Sequence, residues 1–553
     1  MSSAATGRTG GDRVAAFLRS ANVREVYGIP GGHTLALNEG LAREGISFIT
    51  FRHEYGAGCA AAAYGRVGAH AGVALVTCGP GVTNIATAVA GALRDGNPML
   101  VLSVNNRAEH IGWGDAQDAD AVAVLGSITK WSIHVTRPAA IGPALRKAWR
   151  LAHSDRPGPV LVDFARDIIE GPAPDIDPPG AEASPSAVRA SARAIAQVVE
   201  ALERAERPLI WIGRGALSAF HDGALGELVR RIHIPVLSTF NAMETAGAFG
   251  ELSLGVLSRV GTRLTRQTAE ASDLVLCLGN SLNGVSTKRW SLRLLQIMQV
   301  DTRTDRFSDM YPQTVGIEAD VGSFCRDLGE ALGNKVQSKW GAWRETCSTS
   351  RSQWLAELNA ASLRTHEGAI APLALMGLFR RLNLDDGQVW SIDASNAGIW
   401  AHALAFRNGA RVLRPVNFSN MGYALGSAIG AARADGQGRP VNVLVGDGSL
   451  AMSLGDLETA RRLNLPLRIF VLNDCSLSNI RQEVDYKYKR SEIAFDFSDI
   501  RFDHVAAGFG ISALRVRSIA ELEKAIGELA AEPGPCLFDI VTDGEPSVWT
   551  DMV

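Results

Sequence analysis

Short apolar runs of strand length alternate with helix-length stretches along nearly the whole chain, and this alternation restricts the fold more than any other feature. In the first third the runs are "ISFITF", "GVALVTC" and "PMLVLSV". In the middle they are "RPLIWIG", "IPVLSTF", "SDLVLCLG" and "LLQIMQVD", and in the last third "QVWSID", "PVNVLVGDG", "PLRIFVLND" and "PCLFDIV". Runs without polar alternation predict parallel strands covered by helices on both faces. Two breaks divide the 553 residues. The stretch "EGPAPDIDPPGAEASPSA", 170–187, is rich in Pro, Ala and acid and reads as a linker; 334–368 is polar, mostly helical, and reads as a second seam. The fold class is therefore α/β, with three doubly wound parallel-sheet domains over 1–172, 188–335 and 365–553. No short-period repeat is visible.

Composition narrows the function classes. A net charge of −3 with no basic stripe predicts no nucleic acid partner. The start of the chain has no apolar leader, and nowhere are 18 apolar residues consecutive, so no membrane partner is expected. Seven scattered cysteines without a CxxC pair predict reduced thiols and a cytoplasmic protein.

The chemistry is concentrated in two acidic turns. "VNVLVGDG" ends a strand at Asp447, and "LRIFVLND" ends the next one at Asp474. Ser453, with Asp456 three residues on, predicts a capping box for a helix of about three turns between them. In a right-handed strand–helix–strand unit both strands point the same way, so both aspartates emerge at the carboxyl edge of one sheet, where such sheets bind ligands. Two neighbouring carboxylates repel unless a cation lies between them, and oxygen ligands from turns suit Mg²⁺ or Ca²⁺. Gly446 and Gly448 allow close backbone approach, and the amides of Gly448 and Ser449 can hold phosphate oxygens. An isolated GDG turn would be read as a solvated helix cap; the second turn, one helix and one strand later, favours a cation–phosphate site.

Gly446–Asp447–Gly448 followed after residues 449–472 by Asn473–Asp474 resembles the signature of thiamine-diphosphate-dependent enzymes. The stretch "FRHEYGAGCAAAAYGRVGAHAGVALVTCGPGVTN", 51–84, resembles the matching region of the acetohydroxyacid synthase (acetolactate synthase) large subunit group. The resemblance runs along almost the whole chain. It implies pyrimidine-binding, central Rossmann-like and diphosphate-binding domains in that order, with thiamine diphosphate and Mg²⁺ as cofactors. The implied metal ligands are Asp447, Asp474 and the Ser476 carbonyl; Asp474 departs from the family's Asn and adds a negative charge beside the metal. Glu54 matches the catalytic glutamate that hydrogen-bonds the aminopyrimidine ring, where a carboxyl group favours the imino tautomer that activates the thiazolium carbon. Met421 in "SNMGYALGSAIGA" falls where a bulky apolar residue bends the cofactor, and the Ser419 carbonyl would accept from its amino group. Asn396 and Ala397 in "DASNAGIWA" fall on the diphosphate-facing loop, beside Gly446, Gly448 and Ser449. Gly32, Thr77, Gln117, Met452 and Glu483 fall at substrate-facing positions.

The implied reaction decarboxylates a 2-oxo acid such as pyruvate and adds the acyl carbanion to a second carbonyl acceptor. The family's Glu54 and metal site meet across a subunit boundary, which implies a homodimer or homotetramer. The histidine relays of simple decarboxylases are not evident in the sequence, although His33 and His53 lie nearby. The expected activity is therefore carboligase; a decarboxylase or lyase releasing an aldehyde, and a flavin-dependent 2-oxo acid oxidase, are the alternatives. Ser281 replaces the family's carboxylate-binding Arg, and Glu483 replaces a Trp, which together predict a neutral or cationic acceptor. The glycine pattern "GRG", 213–215, leaves FAD open, while the missing Arg-Phe-Asp-Asp-like stretch at 281–284 counts against it.

Overall fold

Every run named above becomes a strand, and all but the run at 46–51, which forms a partly exposed edge strand, are covered on both faces. The computed structural model describes residues 8–178, 188–333, 339–363, 368–488, 493–529 and 532–544. The first sheet comprises β1 (Glu25–Gly28), β2 (Ser47–Thr50), β3 (Gly72–Thr77), β4 (Met99–Asn105), β5 (Ser132–Val135) and β6 (Pro159–Ala165), in the order β2-β1-β3-β4-β6-β5. The second comprises β7 (Pro208–Ile212), β8 (Val236–Ser238), β9 (Ser253–Val256), β10 (Leu274–Leu278), β11 (Ile297–Asp301) and β12 (Thr314–Glu318), ordered β12-β11-β10-β7-β8-β9. The third comprises β13 (Val389–Ile392), β14 (Arg411–Leu413), β15 (Val441–Gly446), β16 (Leu467–Asn473), β17 (Ser512–Val516) and β18 (Cys536–Val541), ordered β14-β13-β15-β16-β18-β17. All strand pairs are parallel.

Counted from the first strand of each sheet, the outer two sheets share one order. The middle sheet has the other common doubly wound order, that of dinucleotide-binding folds. This duplication has no trace as a sequence repeat, because sheet topology depends on pattern and not on residue identity. The outer sheets meet through equivalent helices. Glu54–Val67, after β2, packs on Tyr423–Ala434, after β14, and the contact needs glycine: a Cβ on Gly430 would lie 2.0 Å from the Ala60 carbonyl oxygen, and one on Gly426 2.8 Å from that of Gly56. One apolar core runs through both domains across this contact; the middle domain has its own, and its Phe240, Met243 and Val260 also pack with the third domain.

The capping box is a correction. Asp447 itself begins a helix, Asp447–Ala451, and a second one, Asp456–Arg462, starts after Gly455 with no side-chain cap. Ser453 donates instead to the Leu450 carbonyl (3.4 Å). The break between the two short helices comes at the tight "MSLG" turn, so the three-turn helix does not form. The polar seam contains the helix Gly341–Ser362, fastened to the central domain where the indole N–H groups of Trp340 and Trp343 donate to the Ala205 and Pro208 carbonyls. The end of the expected linker, 179–187, lies outside the described residues.

Candidate active site

β15 and β16 are neighbours in register, with Gly446 opposite Leu472, so their carboxyl ends deliver Asp447 and Asp474 to the same edge. Asp447 is 6 % exposed. Burial, and then the charge of Asp474, push its carboxyl up to about 7, against the backbone N–H groups of Gly448, Cys475 and Ser476. Asp474 is also pushed up, mainly by burial, while Ser478 opposes the shift by donating to its Oδ2. The Asp447 Oδ1 accepts from the Gly448 N–H (2.7 Å), but its Oδ2 is buried with no partner. A buried carboxylate oxygen without a donor, facing a second carboxylate, is a costly arrangement that a divalent cation relieves. The donor set therefore fits a magnesium ion. Cys475 adopts a left-handed backbone (φ +56) that turns the chain at Ser476, a strained conformation for a non-glycine residue.

The aspartates open into a cavity of about 850 Å³ between the third and central domains. Ten residues read from the sequence line it. Gly446, Asp447, Gly448 and Ser449 come from the first turn, and Asp474 and Ser476 from the second. Asn396, Ala397, Ser419 and Met421 come from the loops after β13 and β14. Ser395 caps the helix Asn396–Trp400 by accepting from the Ala397 N–H, and the Asn396 amide is held by Gln482 and Asn479. Ser419 has a left-handed backbone (φ +58), and the carbonyl of Met421 accepts from the Tyr55 hydroxyl (2.8 Å). Asp393, buried at the end of β13, accepts from the N–H groups of Gly422 and Ala424 and so holds the Met421 turn.

Glu54, Gly32, Thr77, Gln117, Met452 and Glu483 do not line this cavity within one chain. Glu54 begins the helix Glu54–Val67, is 7 % exposed, and accepts from the Asn84 amide (2.9 Å). Gly32, Thr77 and Gln117 gather with it at the carboxyl edge of the first sheet: Thr77 ends β3, a Cβ on Gly31 would meet Thr77, and one on Gly79 would meet Gln117. Met452 is exposed beside Gly422. Glu483 pairs with Lys487, one helical turn on.

The cavity's positive wall, formed by Arg94, Arg259, Arg289 and Arg414, leaves no local signal in the sequence. These residues come from four separate segments, so only the fold gathers them. Arg414 is 7 % exposed, lies over the Phe240 ring (4.1 Å) and donates to the Gly398 carbonyl, while its Nε has no partner. Burial draws its pKa down to about 9, partly offset by Asp95 and Asp393. Among the described residues, the hydrogen bond its guanidinium donates goes to a carbonyl and not to a carboxylate. A second cavity of about 530 Å³ lies at the carboxyl edge of the central sheet, next to Ser281 and lined by Arg66, Arg156 and Arg214. The "GRG" turn is explained by packing: a Cβ on Gly213 would lie 2.3 Å from the Gly279 carbonyl oxygen.

Three family models match the chain in succession: the thiamine pyrophosphate enzyme N-terminal TPP binding domain at 8–124, the central domain at 195–328, and the C-terminal TPP binding domain at 393–540. Over 549 residues the chain is 28 % identical to the acetolactate synthase isozyme 1 large subunit of Escherichia coli K12, covering 98 % of this chain and 95 % of that protein. It is also 28 % identical to the mitochondrial acetolactate synthase of Schizosaccharomyces pombe over 576 residues, 98 % of this chain and 84 % of that protein. The figure is again 28 % for the chloroplastic acetolactate synthase of Arabidopsis thaliana, over 97 % of this chain and 81 % of that protein.

Proposed function

The chain belongs to the thiamine pyrophosphate enzymes, and from that premise we propose that it is a magnesium- and thiamine-diphosphate-dependent carboligase, which decarboxylates a 2-oxo acid such as pyruvate and joins the acyl unit to a second carbonyl compound. The observation that carries the reading is the unpartnered, buried Oδ2 of Asp447 beside Asp474. Asp447, Asp474 and the Ser476 carbonyl hold the metal. The amides of Gly448 and Ser449, with Asn396 and Ala397, receive the diphosphate. The Ser419 carbonyl accepts from the amino group, and Met421 supports the bent cofactor. When bound, the cofactor supplies the carbon that adds to the 2-oxo acid and takes up the electron pair released with CO₂. Glu54 keeps a proton on the cofactor's ring nitrogen from its buried position at the start of its helix.

Glu54 lies outside the cavity of its own chain, which supports an assembly of two or more protomers in which the Glu54 edge of one covers the Asp447 cavity of another. Seven cysteines without a disulfide support a reducing, cytoplasmic setting. Among the described residues, no helix is long and apolar enough to cross a membrane.

Ser281 faces the central cavity and Glu483 is paired with Lys487, so neither supports a neutral or cationic acceptor. Arg414 favours a carboxylate, because a buried guanidinium with an unpartnered Nε and, among the described residues, no carboxylate at contact distance gains from an anion brought by the substrate. The arginine-rich central cavity also fits the phosphates of a dinucleotide, so FAD is retained as a second ligand, tested by flavin absorbance of the purified protein.

Purified protein would be incubated with magnesium, thiamine diphosphate and pyruvate, with and without 2-oxo acid and aldehyde acceptors, and the products identified. Acetohydroxy acid or mixed acyloin is expected. Aldehyde as the sole product would establish a lyase, and peroxide formation with bound flavin an oxidase.

A further inference from the structure

The ends of β1, β3 and β4, adjacent in the first sheet, each supply one polar side chain to a row that the proposed chemistry leaves without a task. His33 follows β1, Thr77 ends β3, and Asn106 follows β4. His33 Nε2 lies 2.9 Å from Asn106 Oδ1, and His33 Nδ1 lies 3.3 Å from Thr77 Oγ. The direction of the row follows from its far end. Asn106 Nδ2 donates to the Ala116 carbonyl (3.0 Å), so Oδ1 faces His33 and can only accept. His33 therefore carries its proton on Nε2, and in the neutral ring Nδ1 accepts from the Thr77 hydroxyl. Asn106 is 4 % exposed, while Thr77 and His33 are half-buried at the open edge.

The third sheet has the same strand order, and there the ends of the equivalent strands β13, β15 and β16 carry the Asn396 loop, Asp447 and Asp474. The position that holds two carboxylates in one domain thus holds a hydroxyl–imidazole–amide row in the other.

We propose that Thr77 and His33 form a proton shuttle for the carboligation, with Thr77 as the catalytic group touching the acceptor's oxygen and His33 as its positioned proton store; this rests on the carboligase reading above. As the new carbon–carbon bond forms at the acceptor carbonyl, its π pair moves to oxygen. The Thr77 proton passes to that oxygen while the Nδ1 proton of the imidazolium form passes to Thr77 Oγ. His33 is left neutral, in the tautomer that Asn106 selects, with Nδ1 free to take up a proton again. Run in reverse, the same row removes a hydroxyl proton when product leaves. It supplies the hydrogen-bonded base and orienter that acid–base catalysis requires.

The test has two arms. In protein labelled with ¹⁵N at histidine and free of cofactor, long-range ¹H–¹⁵N correlation reads the His33 tautomer, with His33→Gln identifying its signals. The Nε2–H form is expected, with Nδ1 moving toward the unbonded shift in Thr77→Val. The Nδ1–H form, or a His33 signal indifferent to Thr77→Val, overturns the row whatever the enzyme's reaction proves to be. In the loaded protein, Thr77→Val and His33→Gln are each expected to lower product formation about 10²-fold, with calorimetric cofactor affinity unchanged and the double variant no worse than either single one. Losses that multiply, or an unchanged rate, overturn the shuttle. A wild type without carboligase activity overturns the carboligase reading and the shuttle, while the tautomer arm still decides the row.

Discussion

At the scale of single residues, the tasks proposed for Glu54 and Asp474 are separable. Glu54→Gln keeps the volume and the Asn84 contact but cannot hold the ring proton as an acid does. It is expected to lower turnover about 10²–10⁴-fold with cofactor affinity little changed, measured by initial rates and calorimetry. Asp474→Asn should act in opposite directions on two measurements. Without metal it relieves the repulsion of Asp447 and stabilises the protein by roughly 1–2 kcal/mol, seen as a higher melting temperature. With metal it removes a ligand charge and weakens magnesium binding at least about tenfold. A melting temperature that shifts the same way under both conditions would contradict the clamp.

At the scale of elements, the contact between the helices Glu54–Val67 and Tyr423–Ala434 joins the two outer domains. Gly430→Ala places a methyl group 2.0 Å from the Ala60 carbonyl oxygen, so the helices must separate. A loss of about 1–3 kcal/mol is expected in denaturant unfolding. The start of the Asp456–Arg462 helix abuts the same contact, where a Cβ on Gly56 would meet Asp456 Oδ2 at 2.0 Å. Asp456 is 3 % exposed with Oδ1 unpartnered, and burial, then Glu458, push its carboxyl up to about 7, against the Arg52 N–H. Its proton is held more tightly in the folded than in the unfolded chain. Its contribution to stability is therefore complete below the ordinary carboxylate value of 3.8 and is lost as pH rises through 7. Asp456→Asn should remove a pH dependence of at most about 4 kcal/mol over that window, measured by urea unfolding at several pH values.

At the scale of the whole molecule, Glu54 does not line the cavity that holds Asp447 within one chain. Glu54→Gln and Asp447→Ala, each strongly impaired alone, should regain activity when refolded together, because one mixed site then receives both wild-type groups; no recovery in verified mixed dimers would place the site within one chain. The strands and the acidic turns were legible because they depend on local patterns: continuous apolar runs, glycine at close approaches, and carboxylates at strand ends. The edge strands β5, β12 and β17 were not, since partial exposure breaks their apolar pattern, and neither were β1, β6, β9 and β14, which are mostly buried but short or interrupted by a polar residue. By itself the sequence determined the α/β class, the three sheets and the ten residues that share the cavity. Only the tertiary structure decided the rest: the strand orders, the common core of the outer domains, the arginine wall and the His33–Thr77–Asn106 row. Such features join segments far apart in the chain, and their partners are chosen by sheet topology and helix packing, which no local pattern records.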